Sequence, residues 1–369
     1  MTGPLPPPNR SFLGLDLIRF VAAMMVALHH WGSVWWDPRG FDPQLAVDAG
    51  IALRAEPLRW GWVGVEIFFV LSGFVIAYSA SNRSVATFAR NRFLRLYPGA
   101  WICATLTLVL ARLGTANALG DYGRSLILSP VGQWIDYVYW TLPIEIAFYV
   151  AVAAMLAVGA PLRRLGAGLV MWSAGYWLLR TADFATGGSY RELFRALDSS
   201  LGNLTLLPYG GFFGLGVLLW SMRFEGVSRA KLALSAITIA VGLVAIVTQA
   251  RFYYSEHMIG SAWRIAEAPL MWLTALGLMI AGIAFNDALW RWIGRWSKAI
   301  RTIGLATYPL YLLHQFIGHR IIAAIGMDWR GVAVALPIVT ALAFAVVPVE
   351  KRLRELLYRP RSTEPASLP

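Results

Sequence analysis

The residues that could carry out proton chemistry begin with a histidine pair in the apolar stretch LDLIRFVAAMMVALHH, which also contains Asp16 and Arg19. At 100° per residue of an α-helix, Asp16, Arg19 and His30 fall on one stripe, whereas His29 points about 100° away. An imidazole is a suitable general base near neutral pH. His30 is therefore the first catalytic candidate, and Asp16 and Arg19 are further candidates on the same stripe, closer to the start of the helix. The simpler alternative is that Asp16 and Arg19 only neutralise each other.

Two acids in other apolar stretches extend this candidate site. Glu66 and Glu145 each lie five or six residues into their stretch, counted from the same side as His30. At a rise of 1.5 Å per residue, all three groups would lie at one depth, roughly 7 to 9 Å below the outer surface of a membrane. We predict that they form a proton-handling site in which a carboxylate orients the imidazole. Alternatively, the two acids cap or bridge broken helices, as Pro143 suggests for Glu145.

A basic segment, RSVATFARNRFLRLYP, could bind phosphate groups. Arg92 and Arg95 are three residues apart, so on a helix their guanidinium groups would form a pair of forks suited to phosphate oxygens. With Arg90 they predict a docking site for a phosphorylated cofactor. The alternative is that these arginines only reflect the excess of basic residues in cytoplasmic loops.

Three further polar residues are assigned to cofactor binding. Ser72 interrupts the bulky run FFVLSGF, where small residues permit a passage or close helix packing. Tyr311 and His314 lie in TYPLYLLH, and since buried tyrosine and histidine need polar partners, they indicate a polar interior.

The elements that must position these residues are membrane helices. The chain of 369 residues is 58% hydrophobic and 14% charged, with a mean hydropathy of +0.58, whereas soluble proteins average roughly 45 to 50% apolar and 25% charged residues. Apolar runs of the length that spans a bilayer predict an all-α polytopic membrane protein with about ten transmembrane helices. The predicted spans are 13–35, 60–78, 97–113, 140–158, 165–179, 201–220, 232–248, 268–285, 303–325 and 332–347.

Charge predicts the orientation of these spans. An even number of spans puts both termini on one side, and the segments on that side carry most of the Lys and Arg, so we expect both termini to be cytoplasmic, in an inner (plasma) membrane. This accounts for the net charge of +12, and nucleic acid is not indicated as a partner. We expect a Pro-rich tail at 1–12, a transmembrane domain at 13–348 and a basic tail at 349–369. The single cysteine, Cys103, excludes an intramolecular disulfide, and no metal-ligand spacing is present.

Taken together, these segments resemble the acyltransferase 3 family of membrane O-acyltransferases. The matching pieces are LDLIRFVAAMMVALHH, GVEIFFVLSGFVI, RNRFLRLYP, YWTLPIEIAFY and TYPLYLLH, in that order along nearly the whole chain. The resemblance implies about ten membrane helices, acetyl-CoA or a related acyl-CoA as cytosolic donor, and transfer to a hydroxyl, often of an extracytoplasmic glycan. It also implies that Arg19 and His30 form an essential pair and that Arg92 and Arg95 bind the donor. Glu66 stands where the family usually has an acid, often Asp.

The residues and the resemblance together lead to one hypothesis. Acyl-CoA binds from the cytosol through Arg90, Arg92 and Arg95. His30 then either removes a proton from the acceptor hydroxyl or carries the acyl group as an acyl-imidazole, and the sequence leaves both routes open. The acceptor would be a polysaccharide or other glycan, with polysaccharide-synthesis machinery as a possible partner, or a small molecule such as a macrolide. A proton-coupled transporter is the alternative from another class, and a scaffolding protein is the third.

Overall fold

The computed structural model of the chain describes residues 11–32, 58–257, 265–326 and 328–358. Within these ranges every regular element is helical and no β-strand is present. Of the predicted tails at 1–12 and 349–369, residues 1–10 and 359–369 lie outside the described residues. The α-helices are α1 Leu13–Gly32, α2 Gly64–Ala80, α3 Val85–Thr107, α4 Ala118–Leu126, α5 Thr141–Ala157, α6 Leu162–Ala185, α7 Arg191–Leu197, α8 Gly210–Glu225, α9 Arg229–His257, α10 Glu267–Ala284, α11 Asn286–Ile293, α12 Ser297–Ile325 and α13 Trp329–Leu357.

Short helical segments of other types adjoin several of these helices. A 3₁₀ turn at Gly61–Val63 leads into α2, and another at Tyr137–Trp140 leads into α5. A π-helical segment at Leu108–Arg112 continues α3. The remaining 3₁₀ turns are Gly202–Thr205 and Gly294–Trp296.

The described residues contain eight helical segments that are long and apolar enough to cross a membrane. Each of the ten predicted spans overlaps one of the long helices, but α6 and α12 are not among these eight. α12 is less apolar than the eight because its middle carries tyrosine, histidine, glutamine and threonine side chains. Several of these are buried, and α12 packs against α1, α3 and α13 rather than standing alone in lipid. The fold confirms the predicted all-α polytopic membrane protein.

Glycines let α1 approach α2 and α12 closely. A Cβ on Gly64 would lie 2.6 Å from the carbonyl oxygen of Ala22, and one on Gly61 would collide with the backbone of Met25. On the other side of α1, Gly318 of α12 leaves room for the indole of Trp31. These contacts fix α1 between its two neighbours and set which residues lie at the same level.

The two ends of the bundle differ in chemistry. We call the end that contains Asp16 and Arg19, where α1 begins, the arginine end, and the opposite end, which contains His30, the histidine end. α2 runs from the histidine end to the arginine end, and α3 starts at the arginine end. The last helix, α13, continues through residues 349–357, which the sequence assigned to a tail, so this part of the chain is helical and returns to the arginine end.

Candidate active site

A histidine pair lies at the histidine end, where α1 meets α12. The Nδ1 atom of His30 is 2.7 Å from Nε2 of His314. The two rings are nearly parallel, with 7° between their planes and 5.0 Å between their centroids. His314 is fully buried, whereas His30 is partly exposed. The sequence assigned His314 to the cofactor site, but the structure places it against His30 instead.

A backbone carbonyl selects the tautomers of this pair. Nδ1 of His314 lies 2.7 Å from the carbonyl oxygen of Tyr311, and since a carbonyl can only accept, that nitrogen carries the proton. In the neutral pair, Nε2 of His314 therefore accepts from Nδ1–H of His30. This leaves the lone pair of His30 on Nε2, and no described residue forms a hydrogen bond with that atom. The arrangement is that of a base held in one tautomer by an orienting partner.

Further contacts fix the pair in place. Nε2 of His319 donates to the carbonyl oxygen of His30, at 3.2 Å, and the indole of Trp31 donates to the carbonyl oxygen of His314, at 2.9 Å. Two residues beyond His314, the backbone N–H of Phe316 donates to the buried carboxylate of Asp136, at 3.0 Å. These three hydrogen bonds thus fix the backbone of α1 and α12 where the two helices carry the imidazoles.

Glu66 does not lie at the depth of His30, contrary to the prediction. α1 and α2 are antiparallel, and Gly64 packs against Ala22 and Val26. Glu66, two residues further along α2, is therefore about level with Ala22, and His30 lies roughly 12 Å closer to the histidine end. The estimate from sequence failed because it assumed that both spans start at one outer boundary, whereas Gly61 packs against Met25 and His29, so α2 begins several residues below His30. His30 and Glu66 form no hydrogen bond, so His314 orients the imidazole.

Glu145 lies deeper still, with the inner polar residues. Its Oε1 accepts from the hydroxyl of Ser72, at 3.3 Å, and from that of Tyr149, at 2.8 Å. Ser72 lies six residues beyond Glu66 on α2, about 9 Å nearer the arginine end. Arg19 is within electrostatic range of both Glu145 and Tyr149. Glu145 thus joins Arg19 rather than His30, and the predicted single level of three groups is wrong.

The arginine end gathers the predicted phosphate-binding residues. The guanidinium of Arg92 lies 5.9 Å from the ring centroid of Tyr149, and among the described residues its buried Nε has no hydrogen-bond partner. Arg95 forms an ion pair with Glu350 of α13, with 3.5 Å between Nη1 and Oε1. Glu350 is almost completely buried and also pairs with Arg354.

The other predicted residues lie along the same interface. Arg90 packs against the ring of Tyr358, with 4.3 Å between the guanidinium carbon and the ring centroid. Asp16 and Arg19 form the ion pair that the simpler alternative from the sequence predicted, at 3.8 Å. The hydroxyl of Tyr311 accepts from Thr141, at 3.2 Å. Tyr311 lies between the histidine pair and the inner residues, not at the arginine end.

The polar residues together form a column through the apolar bundle. From the arginine end to the histidine end it contains arginines with Glu350, then Arg19 with Glu145, then Glu66 with Tyr311, and then the histidine pair. Among the described residues, no group of three or more His, Cys, Asp or Glu side chains is arranged to hold a metal ion.

Comparison with known proteins decides the family. The acyltransferase domain model of the acyltransferase 3 family matches residues 12–349. The chain belongs to this family. The acyltransferase is 26% identical over 356 residues to "Nodulation protein 10" of Rhizobium leguminosarum bv. viciae, an alignment that covers 86% of this chain and 84% of the relative.

Two further relatives are named as enzymes that transfer acyl groups. The acyltransferase is 24% identical over 294 residues, 73% of its length and 69% of the relative's, to a Komagataeibacter xylinus protein named "Putative membrane-bound transacylase BcsY". Over 39 residues, 10% of each chain, it is 54% identical to "Acyltransferase MdmB" of Streptomyces mycarofaciens. No solved structure matches. The predicted family is confirmed, and the protein is a multi-pass membrane acyltransferase.

The sequence did not identify four residues that the structure brings into the column. These are Asp136, Tyr149, His319 and Glu350. Asp136 and Glu350 are buried acids next to apolar stretches, which is a signal that the depth argument could have used. Tyr149 is one turn beyond Glu145, so helical spacing alone would have paired them.

Proposed function

We propose that this acyltransferase moves an acetyl or related acyl group from cytosolic acyl-CoA to a hydroxyl of an extracytoplasmic polysaccharide or other glycan. The observation that carries the proposal is the histidine pair, in which His314 holds His30 and no described residue forms a hydrogen bond with Nε2 of His30. A hydroxyl is a weak nucleophile until a base removes its proton, and a positioned imidazole performs that step. The protein would lie in the inner membrane with both termini in the cytosol.

The donor would enter at the arginine end. Phosphate oxygens of acyl-CoA suit the guanidinium groups of Arg92 and Arg95, with Arg90 beside them. Arg19 and His30 are eleven residues apart on α1, about 16 Å along the axis. The pantetheine arm is an extended chain that can cover such a distance, so it would run along the polar column and present its thioester to His30. The acceptor would reach His30 from the histidine end.

The transfer step balances without a further reactant. Nε2 of His30 takes the proton of the acceptor hydroxyl as its oxygen attacks the thioester carbonyl. The carbon–sulfur bond then breaks, and the thiolate of CoA receives that proton from the imidazolium, which gives an ester and free CoA. While His30 is protonated, its Nδ1–H remains bonded to Nε2 of His314, which stabilises the positive charge.

Reconstituted protein tests this proposal. The experiment supplies labelled acetyl-CoA and an acceptor glycan to proteoliposomes and measures labelled ester and released CoA. We expect both products from the native protein, and a loss of at least about 100-fold in kcat from His30→Ala. The neighbouring variant His29→Gln is the matched control and should keep most of the activity. Substrate transport without CoA release would instead identify a transporter.

The acceptor class needs a second measurement. Comparing the O-acetyl content of surface and periplasmic glycans in cells with and without this chain identifies the polymer. Glycans with unchanged O-acetyl content, together with acetylation of a small hydroxyl compound such as a macrolide, would contradict the glycan assignment.

A further inference from the structure

Glu66 is a buried acid whose carboxylate is only partly satisfied. The residue is 6% exposed, and its Oε2 has no hydrogen-bond partner among the described residues. Burying a carboxyl oxygen without a hydrogen-bond partner costs at least the free energy of removing that oxygen from water. The presence of Glu66 at this position therefore suggests that a ligand completes the site. His30 is not that partner, because it lies roughly 12 Å closer to the histidine end.

The position of Glu66 restricts which ligand can reach it. Glu66 lies within electrostatic range of Tyr311, whose ring is 5.6 Å from that of Phe68, two residues further along α2. Along the column it lies about 12 Å from the level of His30 toward the arginine end, and about 9 Å from Ser72 and Glu145 toward the histidine end. It therefore stands between the donor's phosphate site and the base.

A ligand that passes Glu66 on this path must be the donor rather than the acceptor. If the donor enters at the arginine end and the acceptor arrives from the histidine end, the acceptor stops at His30 and never reaches the level of Glu66. The part of acyl-CoA between its phosphates and its thioester is the pantetheine arm. That arm carries two amide N–H groups, each of which needs an acceptor when it leaves water.

We propose that Glu66 accepts a hydrogen bond from an amide N–H of the pantetheine arm and so holds the thioester at the level of His30. This assigns Glu66 to donor binding and not to proton transfer. The assignment rests on the proposed function, since it requires acyl-CoA as the donor. It explains why an acid lies in the apolar bundle although its Oε2 has no hydrogen-bond partner among the described residues.

The test combines a change in the protein with a change in the donor. The donors are acetyl-CoA and its two analogues in which one or the other pantetheine amide N–H is replaced by an ester oxygen. With the native protein, we expect one analogue to lower kcat/KM by about 10- to 100-fold, the range for a hydrogen bond to a charged group. With Glu66→Met, which removes the acceptor while retaining the chain length, that difference between donors should disappear.

Controls separate the possible outcomes. Glu66→Gln keeps one acceptor oxygen without the charge and should retain part of the discrimination. Glu267→Gln, an acid bonded to the indole of Trp60 and outside the column, should retain all of it. Thermal unfolding shows that each variant is folded.

Three results would count against the inference in different ways. If the ester replacements lower kcat/KM as much with Glu66→Met as with the native protein, Glu66 does not contact an amide. If Glu66→Met raises only the KM of the acceptor, the residue binds the acceptor and the proposal is overturned. If the native protein transfers no acetyl group from acetyl-CoA to any hydroxyl, the proposed function itself fails, and the assignment of Glu66 fails with it.

Discussion

At the scale of single residues, the chemistry depends on how one imidazole is oriented. The partner of His30 is a second histidine and not a carboxylate, and the backbone carbonyl of Tyr311 selects its tautomer. A neutral partner leaves the base without a permanent ion pair, so the imidazolium is stabilised less than it would be beside a carboxylate. The proposed function therefore makes His314 a positioning residue.

Replacing His314 tests this role. His314→Leu removes the acceptor for Nδ1–H of His30, so the wrong tautomer and rotated rings become accessible. We expect kcat to fall by about 100-fold while the KM of acyl-CoA changes little. His314→Gln offers an amide oxygen as acceptor and should recover part of kcat. A higher KM for acyl-CoA with unchanged kcat would show that His314 belongs to the donor site, as its sequence motif first suggested.

The fate of the acyl group is a second prediction at this scale. With His30 as a base, acetyl-CoA alone should give no burst of CoA, and no acetyl label should remain on His30. Rapid-quench measurement followed by peptide mass spectrometry checks both. A burst that is stoichiometric with protein and lost in His30→Ala would demonstrate an acyl-imidazole instead.

At the scale of elements, α13 contributes to the arginine end through Glu350. This carboxylate is 2% exposed and lies between Arg95 and Arg354, so it neutralises charge where α3 and α13 meet. Both arginines are partly exposed, which limits how strongly they depend on it.

Glu350→Gln should therefore destabilise the protein by about 1.5 to 3 kcal/mol, the range for hydrogen bonds that involve charged groups. The substitution leaves the guanidinium groups of Arg95 and Arg354 without this carboxylate. Glu355→Gln is the matched control on the same helix, because Glu355 is exposed and its contact to Lys351 is 4.0 Å. That variant should change stability by less than about 0.5 kcal/mol. Thermal unfolding in detergent measures both, and equal effects would contradict a special role for Glu350.

The helices show which parts of the site sequence could predict. Apolar runs located the long helices, because burial in lipid requires about 20 apolar residues whatever the helix packs against. The ion pair of Asp16 and Arg19 also followed from helical spacing. The pairing of His30 with His314 joins positions 284 residues apart, and no local pattern encodes which helices become neighbours. The predicted depth of Glu66 was wrong for the same reason, since the true depth depends on the close contact of α1 with α2.

At the scale of the whole molecule, the two ends of the bundle have different tasks. In the proposed function, the guanidinium groups of the arginine end bind the phosphorylated donor, and His30 at the histidine end is the base. A reaction whose substrates come from opposite sides of a membrane requires such an asymmetric arrangement. The proposed function therefore fixes the orientation: the arginine end must face the cytosol.

Single cysteines can measure this orientation. The chain has one cysteine, Cys103, which is buried, so introduced thiols should react against a low background. Ala86, on the first turn of α3, is exposed at the arginine end, and Ser189, after α6, is exposed at the histidine end. We expect a membrane-impermeant maleimide to label Ser189→Cys in cells whose outer membrane is permeabilised, and Ala86→Cys only in inverted vesicles. Since a charged reagent cannot cross the bilayer, the opposite labelling pattern would place the arginines outside, away from cytosolic acyl-CoA, and the donor route through the column would then be impossible.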